Sequence, residues 1–379
     1  MKIAIMFRAV EEIDGPGIAS RNLIDKLIEI DKKNKYVVLY MNPEFVGRYK
    51  QYDNVKEILI KSKRKIIYDQ IIVPWICHKE QVDLIFSPKF TLPLFSSKNS
   101  IVIQRGSEYW VYPKYYDRLD LLYVNIFLPL YCRKADIVVT LSDVLKEDLH
   151  SYLQVPMKKM HTVYSAPHEN FGLIEDRNYL EKIRNKFELP KERFVLAVTK
   201  PYAAVGSSKK EFYPGKNTKA VVESFIKCKD QLKENIKLVL LGKDVKETWI
   251  ANYGEELIKG GYVVFPGYIP QKYMPAIYNL ATVLSFPSYY ESFGIPLVEA
   301  MACGCPVIAA NVGACPEIVG DAGYIVDPDD IDSLATAMID IITDKTIAQE
   351  LKQKGLIQAK RFSWEKSAKK LYELIKLFE

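Results

Sequence analysis

Residues 289–309 read YYESFGIPLVEAMACGCPVIA. Two glutamates, Glu291 and Glu299, stand with seven residues between them in an otherwise mostly apolar stretch. The preceding TVLSFP (282–287) has the composition of a short buried strand. SYYESFG then reads as a loop, and Pro296 suits the first turn of a helix that Gly304 ends. Strand, loop and helix in this order put a helix amino terminus at a strand's carboxyl end. Free N–H groups and the helix dipole there favour an anion such as a diphosphate. Glu291 falls on the loop and Glu299 about one turn inside the helix. Ionised carboxylates in these places repel phosphate but accept hydrogen bonds from hydroxyls. One carboxylate on each side of a diphosphate suggests one for a sugar and one for a ribose; the plainer alternative makes both merely favourable to the helix dipole.

The chain around this stretch has 379 residues, long enough for two domains. Hydrophobic residues make up 49% and charged residues 26%, the balance of a globular protein rather than a disordered one. The net charge of +6 is mild. KSKRK at 61–65 concentrates part of it, either as a solvated face or as a contact with phosphate-bearing or membrane-surface partners. MKIAIMF at the start reads as a buried strand, too short for a signal sequence, and no run approaches the ~18 apolar residues of a membrane span. The six cysteines form no CxxC pair. Cys303, Cys305 and Cys315 read as small core fillers, which implies a reducing cytoplasm and no zinc site.

Short β-rich runs alternate with amphipathic stretches along the whole length. KIAIMF, YVVLYM, DLIFS, SIVIQ, DIVVTLS and HTVY supply the first half; FVLAVT, KLVLLG, YVVFPG, TVLSFP, PVIAAN and GYIVDP supply the second. This grammar predicts α/β architecture: two doubly wound, Rossmann-like domains with parallel sheets, facing each other across an interdomain cleft. The expected boundaries are 1–168 for an amino-terminal, acceptor-side domain and 169–192 for a polar linker. Residues 193–362 form the carboxyl-terminal domain, and 363–379 a closing helix that packs on either one.

Three other motifs invite chemistry. VEEIDGPGIASRNL almost spells a dinucleotide loop with Gly15, Gly17 and Ser20, but the last glycine is missing and residues 8–14 lengthen the turn. It remains either a flexible turn or an anion- or sugar-binding helix terminus. DPDD (327–330) contains a DxD of the kind that holds a metal in some sugar transferases. A helix follows it, so Asp329 or Asp330 is more simply an N-cap. The aromatic run 108–132 is part core helix, and Trp110, Tyr112, Tyr115 and Tyr116 are candidates for a sugar-stacking or membrane-interface surface.

With its flanks, ESFGIPLVE resembles the E-x7-E signature of retaining glycosyltransferases of the GT-B fold, family 4 (glycosyl transferases group 1). The likeness is nearly continuous from PGYIPQKYMPAIYNL to GYIVDP. In the first half it rests on the opening strand, the glycine loop, LSDVLKEDL and, at the chain's end, FSWEKSAKKLYELI. It implies a hexose of mannose or glucose type moved from GDP- or UDP-hexose to a saccharide or lipid-linked glycan, with retention and with no metal or other cofactor. Glu299 would accept the ribose hydroxyls and Glu291 would lie against the donor sugar. Phe293, Gly294 and Ile295 would offer backbone N–H groups. Lys200 and Lys216 would stabilise the diphosphate as point charges. Tyr268 and Ile269 match the base-contacting stretch, and Gly17 the loop near diphosphate and acceptor.

Two departures from the family pattern stand out. Residues 201–215 lengthen the link between the two lysines, an expected mobile flap. Arg105 occupies the place of a common histidine; always protonated, it cannot be a general base, but it can donate hydrogen bonds to a sugar or acidic acceptor, or be structural. Front-face attack, in which the departing phosphate takes the acceptor's proton, needs no such base. Glu108 beside it is a weaker candidate for acceptor contact. The rival expectations are a GT-B sugar-nucleotide epimerase or phosphorylase, and a catalytically silent partner that keeps the nucleotide site. Lys61, Lys63, Arg64 and Lys65 are the residues expected at any peripheral membrane contact.

Overall fold

In the computed structural model the chain divides into two compact units, residues 1–166 with 363–379, and residues 167–362. The structure describes every residue except 12–14, 63, 204–209 and 233, and the side chains of 9, 202, 203 and 210 are likewise outside the description.

The first unit is built on seven parallel strands: β1 (Lys2–Met6), β2 (Lys35–Tyr40), β3 (Val55–Leu59), β4 (Leu84–Ser87), β5 (Asn99–Ile103), β6 (Ile137–Thr140) and β7 (Met160–Thr162). Their order across the sheet is β3-β2-β1-β4-β5-β6-β7, the doubly wound pattern with its reversal between β1 and β4. Strands β1, β4 and β6 are buried along almost their whole length, because helices cover both faces of a parallel sheet. Six of the seven match apolar runs in the sequence. The exception, β3, reads VKEIL, an edge strand only half covered, so it lacks the continuous apolar run that marks its neighbours.

The second unit repeats the plan with β8 (Phe194–Val198), β11 (Lys237–Leu241), β12 (Val263–Gly267), β13 (Val283–Phe286), β14 (Val307–Ala310) and β15 (Gly323–Val326), in the order β12-β11-β8-β13-β14-β15. Between β8 and β11 lies an antiparallel hairpin of β9 (Pro201–Ala203) and β10 (Lys210–Phe212). It falls in the insertion at 201–215, whose residues 204–209 lie outside the described residues. Phe225, Trp249 and Met338 are fully buried on one face of this second sheet, where the helices Thr218–Gln231 and Ile331–Thr343 pack together. All six cysteines are buried and free of disulfides.

Residues 169–192, expected as a linker, carry the helix Arg177–Lys186, which packs on the helix Met274–Leu280. Asn279 ties the same segment down: its Oδ1 accepts from Ile174 N at 2.9 Å and its Nδ2 donates to Gly172 O at 2.9 Å. The segment therefore belongs to the second unit. Its polar composition follows from the exposed face of that helix, where only Ile183 is buried. The closing helix Trp364–Lys376 belongs to the first unit. Its buried Ala368, Leu371 and Ile375 pack toward the helix Gly15–Ile30, whose Leu23, Leu27 and Ile28 are buried. No described helix is long and apolar enough to cross a membrane.

Truncating Leu371, which is completely buried, is expected to cost about 2–5 kcal/mol. Hydrogen exchange should therefore accelerate in both helices of that pair for Leu371→Ala, and should stay at the wild-type rate for the exposed Lys370→Ala.

Candidate active site

In the second sheet the chain reverses direction between β8 and β13, and the crevice beyond the carboxyl ends of such a pair is where open α/β sheets bind ligands. Lys200 follows β8 directly. Glu291 follows β13 on the loop that leads into the helix Ile295–Ala302. Lys216 closes a one-turn helix, Pro214–Lys216, just before the helix Thr218–Gln231.

The loops that carry Glu291 and Lys216 are held by contacts from distant parts of the sequence. Ala314 N donates to Glu291 O at 2.9 Å. The neighbouring Gly313 has φ +57°, and a Cβ on it would stand 2.8 Å from Glu291 O and 3.0 Å from Glu291 N. Only glycine permits that approach. Tyr289 N donates to Gly215 O at 3.0 Å, which ties the glutamate loop to the lysine loop. Asn217 sits in the left-handed region at φ 48°, caps the helix that follows it, and donates from Nδ2 to Pro328 O at 2.7 Å. The outcome is a close ion pair: Lys216 Nζ donates to Glu291 Oε1 at 2.6 Å, with both side chains about four-fifths buried. The ammonium also lies 4.6 Å from the centre of the Phe286 ring. Lys200 Nζ lies 4.4 Å from the Tyr213 ring, and Tyr213 N donates to Lys200 O at 2.9 Å.

Gly294 has φ +87° and precedes the helix, so the chain enters Ile295–Ala302 through a left-handed residue. The first-turn N–H groups of a helix have no intrahelical acceptor. Phe293 is buried and packs edge-on against Phe362, with ring centres 5.4 Å apart, which fixes the entry to that turn. Glu299 lies farther along the helix and is only 6% exposed. It accepts from Gln271 Nε2 at 2.7 Å and from Tyr278 Oη at 3.2 Å. Burial outweighs those two bonds and raises its carboxyl to about 7. Of the pair after β12, Ile269 is buried and Tyr268 is 67% exposed. A large exposed ring beside a strand end is available for stacking.

The first unit places Arg105 directly after β5. Its Nε donates to Pro88 O at 3.2 Å and its Nη2 donates to Ser20 Oγ. Ser20 lies on the same helix as Gly17, so those two candidates share one corner of the first unit. Of the aspartates at 327–330, Asp330 caps the helix Ile331–Thr343 and Asp329 accepts from Tyr289 Oη at 2.6 Å. Lys61, Arg64 and Lys65 are exposed, and Lys63 is outside the described residues. Sequence reasoning missed Gly313, Asn217, Gln271 and Tyr278. Asn217, directly after Lys216 and ahead of a helix, carried an N-cap signal; the others act across long sequence separations.

Residues 200–358, which hold this site, match the family model described as glycosyl transferases group 1. The match covers less than half of the chain. O-antigen chain mannosyltransferase B of Escherichia coli is 25% identical over 279 residues, which are 73% of this chain and 70% of that one. The serotype-specific mannosyltransferase WbdA of Escherichia coli is 26% identical over 242 residues, 62% of this chain; the match spans only 28% of that protein's length. Among solved structures, Anabaena Alr3699/HepE in complex with UDP and glucose superposes with a TM-score of 0.73, covering 99% of both chains at 18% identity. The fold of this glycosyltransferase is therefore GT-B, with both α/β units included.

Gly313→Ala should push the Glu291 backbone away from its seat and destabilise the second unit by about 1–3 kcal/mol. Thermal denaturation beside Gly172→Ala, where a Cβ meets nothing within 4 Å, provides the check. Glu299 gives a pH signature. Between its ordinary 4.5 and about 7 the folded chain keeps a proton that the unfolded chain has released. Stability therefore falls as pH rises through that window, by about 3 kcal/mol in all, and the loss is complete above it. Melting temperatures of the ligand-free protein from pH 5 to 8 should show this slope, and Glu299→Gln should flatten it.

Proposed function

We propose that this glycosyltransferase moves a mannose- or glucose-type hexose, with retention, from a GDP- or UDP-hexose to a saccharide or lipid-linked glycan. The observation that carries the proposal is the 2.6 Å Lys216–Glu291 pair beside the N-terminus of the Ile295–Ala302 helix, with the buried Glu299 further along that helix.

An ammonium has three donors, so Lys216 can hold Glu291 and still offer hydrogen to phosphate oxygens. Lys200 adds a second positive charge at the end of the adjoining strand. Backbone N–H groups of Phe293, Gly294 and Ile295 face the same diphosphate in this proposal, and negative charge growing on the departing nucleotide meets fixed positive charge rather than reorganising water. Glu291, paired with Lys216, accepts from the donor sugar's hydroxyls. Glu299 accepts from the ribose, and Tyr268 with Ile269 contacts the base. These roles need no divalent cation, because the lysines and the helix terminus supply the charge that a metal would supply. Gly17 and Arg105 serve the diphosphate and the acceptor from the first unit, Arg105 as a hydrogen-bond donor only. The mannosyltransferase relatives and the UDP–glucose complex of the structural relative support a hexose donor without choosing its base. A cytoplasmic enzyme, peripheral at the membrane through Lys61, Arg64 and Lys65, fits a lipid-linked acceptor.

Thermal shifts with GDP, UDP, GDP-mannose and UDP-glucose test the donor site. A ligand at a hundred times its Kd adds about 2.7 kcal/mol, and Glu299→Ala should abolish the shift. With the stabilising donor, Lys216→Ala should lower turnover by about 10²–10³-fold, EDTA should leave turnover unchanged, and the product should keep the donor's anomeric configuration by NMR. Inversion, or turnover that EDTA stops, would remove the retaining metal-free reading.

A further inference from the structure

The first unit contains a cavity of about 820 Å³ between residues 65–71, residues 89–95 and the helix Arg118–Lys134. That is within the range of small-molecule sites, about 300–1,000 Å³. Its walls are mostly hydrocarbon, from Ile66, Ile71, Phe90, Phe95, Tyr123 and Phe127 among others, with Gln70 and Thr91 as the uncharged polar exceptions beside tyrosine hydroxyls. Several of these are exposed to an unusual degree, Phe95 at 92%, Ile66 at 66% and Ile71 at 63%. The helix that supplies Tyr123 and Phe127 continues the pattern, exposing Leu119, Leu122 and Ile126 while burying Val124 and Leu128 on its other side. A contiguous exposed apolar patch of this kind marks an interaction or ligand site.

Charge at the cavity has one sign in excess. Arg8, Lys65 and Lys89 line it against a single acid, Asp69. Asp69 is already engaged by Arg8, Nη2 to Oδ2 at 2.9 Å. Arg8 Nε is buried with no acceptor among the described residues. A sugar or nucleotide inside such walls would leave its hydroxyls without partners. A hydrocarbon chain has none to satisfy, and a phosphate-type head suits the three cations.

We infer that this cavity seats the hydrocarbon chain of an anionic single-chain amphiphile, its phosphate head toward Lys65, Lys89 and Arg8. As the anchor of a lipid-linked acceptor its role rests on the transferase reading; the binding site itself does not.

Calorimetric titration of the full chain with farnesyl monophosphate below its micellar concentration, without donor, tests the site. One saturating site per chain is expected. Ile71→Asp and Phe95→Asp, both at exposed positions, should each weaken it at least tenfold. Lys65→Ala with Lys89→Ala should weaken it several-fold, and farnesol should bind several-fold less tightly than its phosphate. Dodecyl phosphate separates a straight-chain source from a prenyl one; saturating binding of either, with that dependence on the variants, supports the site. Non-saturating uptake, or saturation that neither aspartate changes, would overturn it. Nucleotide thermal shifts on the same samples keep the two readings apart: amphiphile binding without a nucleotide shift sinks the transferase reading and leaves the cavity standing, and the reverse sinks the cavity alone.

Discussion

The close approach of two main-chain segments, Gly313 upon Glu291, is the constraint on which the second unit's site depends. Without a Cβ, the turn after β14 can press its backbone against the loop after β13, and Ala314 N then fixes Glu291 O at 2.9 Å. Two placements follow from that contact. The glutamate side chain is delivered to Lys216, and the loop arrives at Gly294 in the conformation that starts the next helix. The lysine is aligned separately, through the left-handed Asn217 and its bond to Pro328. Segments around Lys216, Glu291 and Gly313, far apart in sequence, thus converge on a single ion pair.

The pair also explains how a mostly apolar stretch keeps two carboxylates. They have different neighbours. Glu291 is about four-fifths buried and has a cation at hydrogen-bond distance. Glu299 is more deeply buried and has only neutral donors, the amide of Gln271 and the hydroxyl of Tyr278. Its proton is therefore held to about 7. Hydroxyls donating to it would favour its ionised form, so ligand and proton compete for one side chain.

Most of the fold was legible because buried parallel strands announce themselves as unbroken apolar runs, and twelve of those runs became strands. The rest was obscured for local physical reasons. Strand β3 is an edge, so its Lys56 and Glu57 interrupt the signal. Residues 169–192 look like a linker because their helix buries only one side chain. One motif and its flanks nominated Glu291 and Glu299, the family resemblance nominated Lys216, and the structure brings Lys216 and Glu291 together. Their supports were not legible. Gln271 and Tyr278 reach Glu299 from 28 and 21 residues away, and nothing in a linear pattern marks a side chain by the partner it meets after folding. The cavity of the first unit escaped for the opposite reason: its apolar residues, read in sequence, are indistinguishable from core.

The return of residues 363–379 to the first unit makes the second unit an insertion within it. During synthesis the helix Gly15–Ile30 is made long before the helix that covers it. Residues 167–362 have all they need once Phe362 is made, whereas the first unit must wait with Leu23, Leu27 and Ile28 uncovered until Leu371 emerges. The contact that completes it joins residues 15–30 to residues 364–376, a long loop and so a slow one to close. The unit begun first is finished last, and a nascent chain arrested anywhere before residue 363 presents that apolar helix face to the chaperones around it.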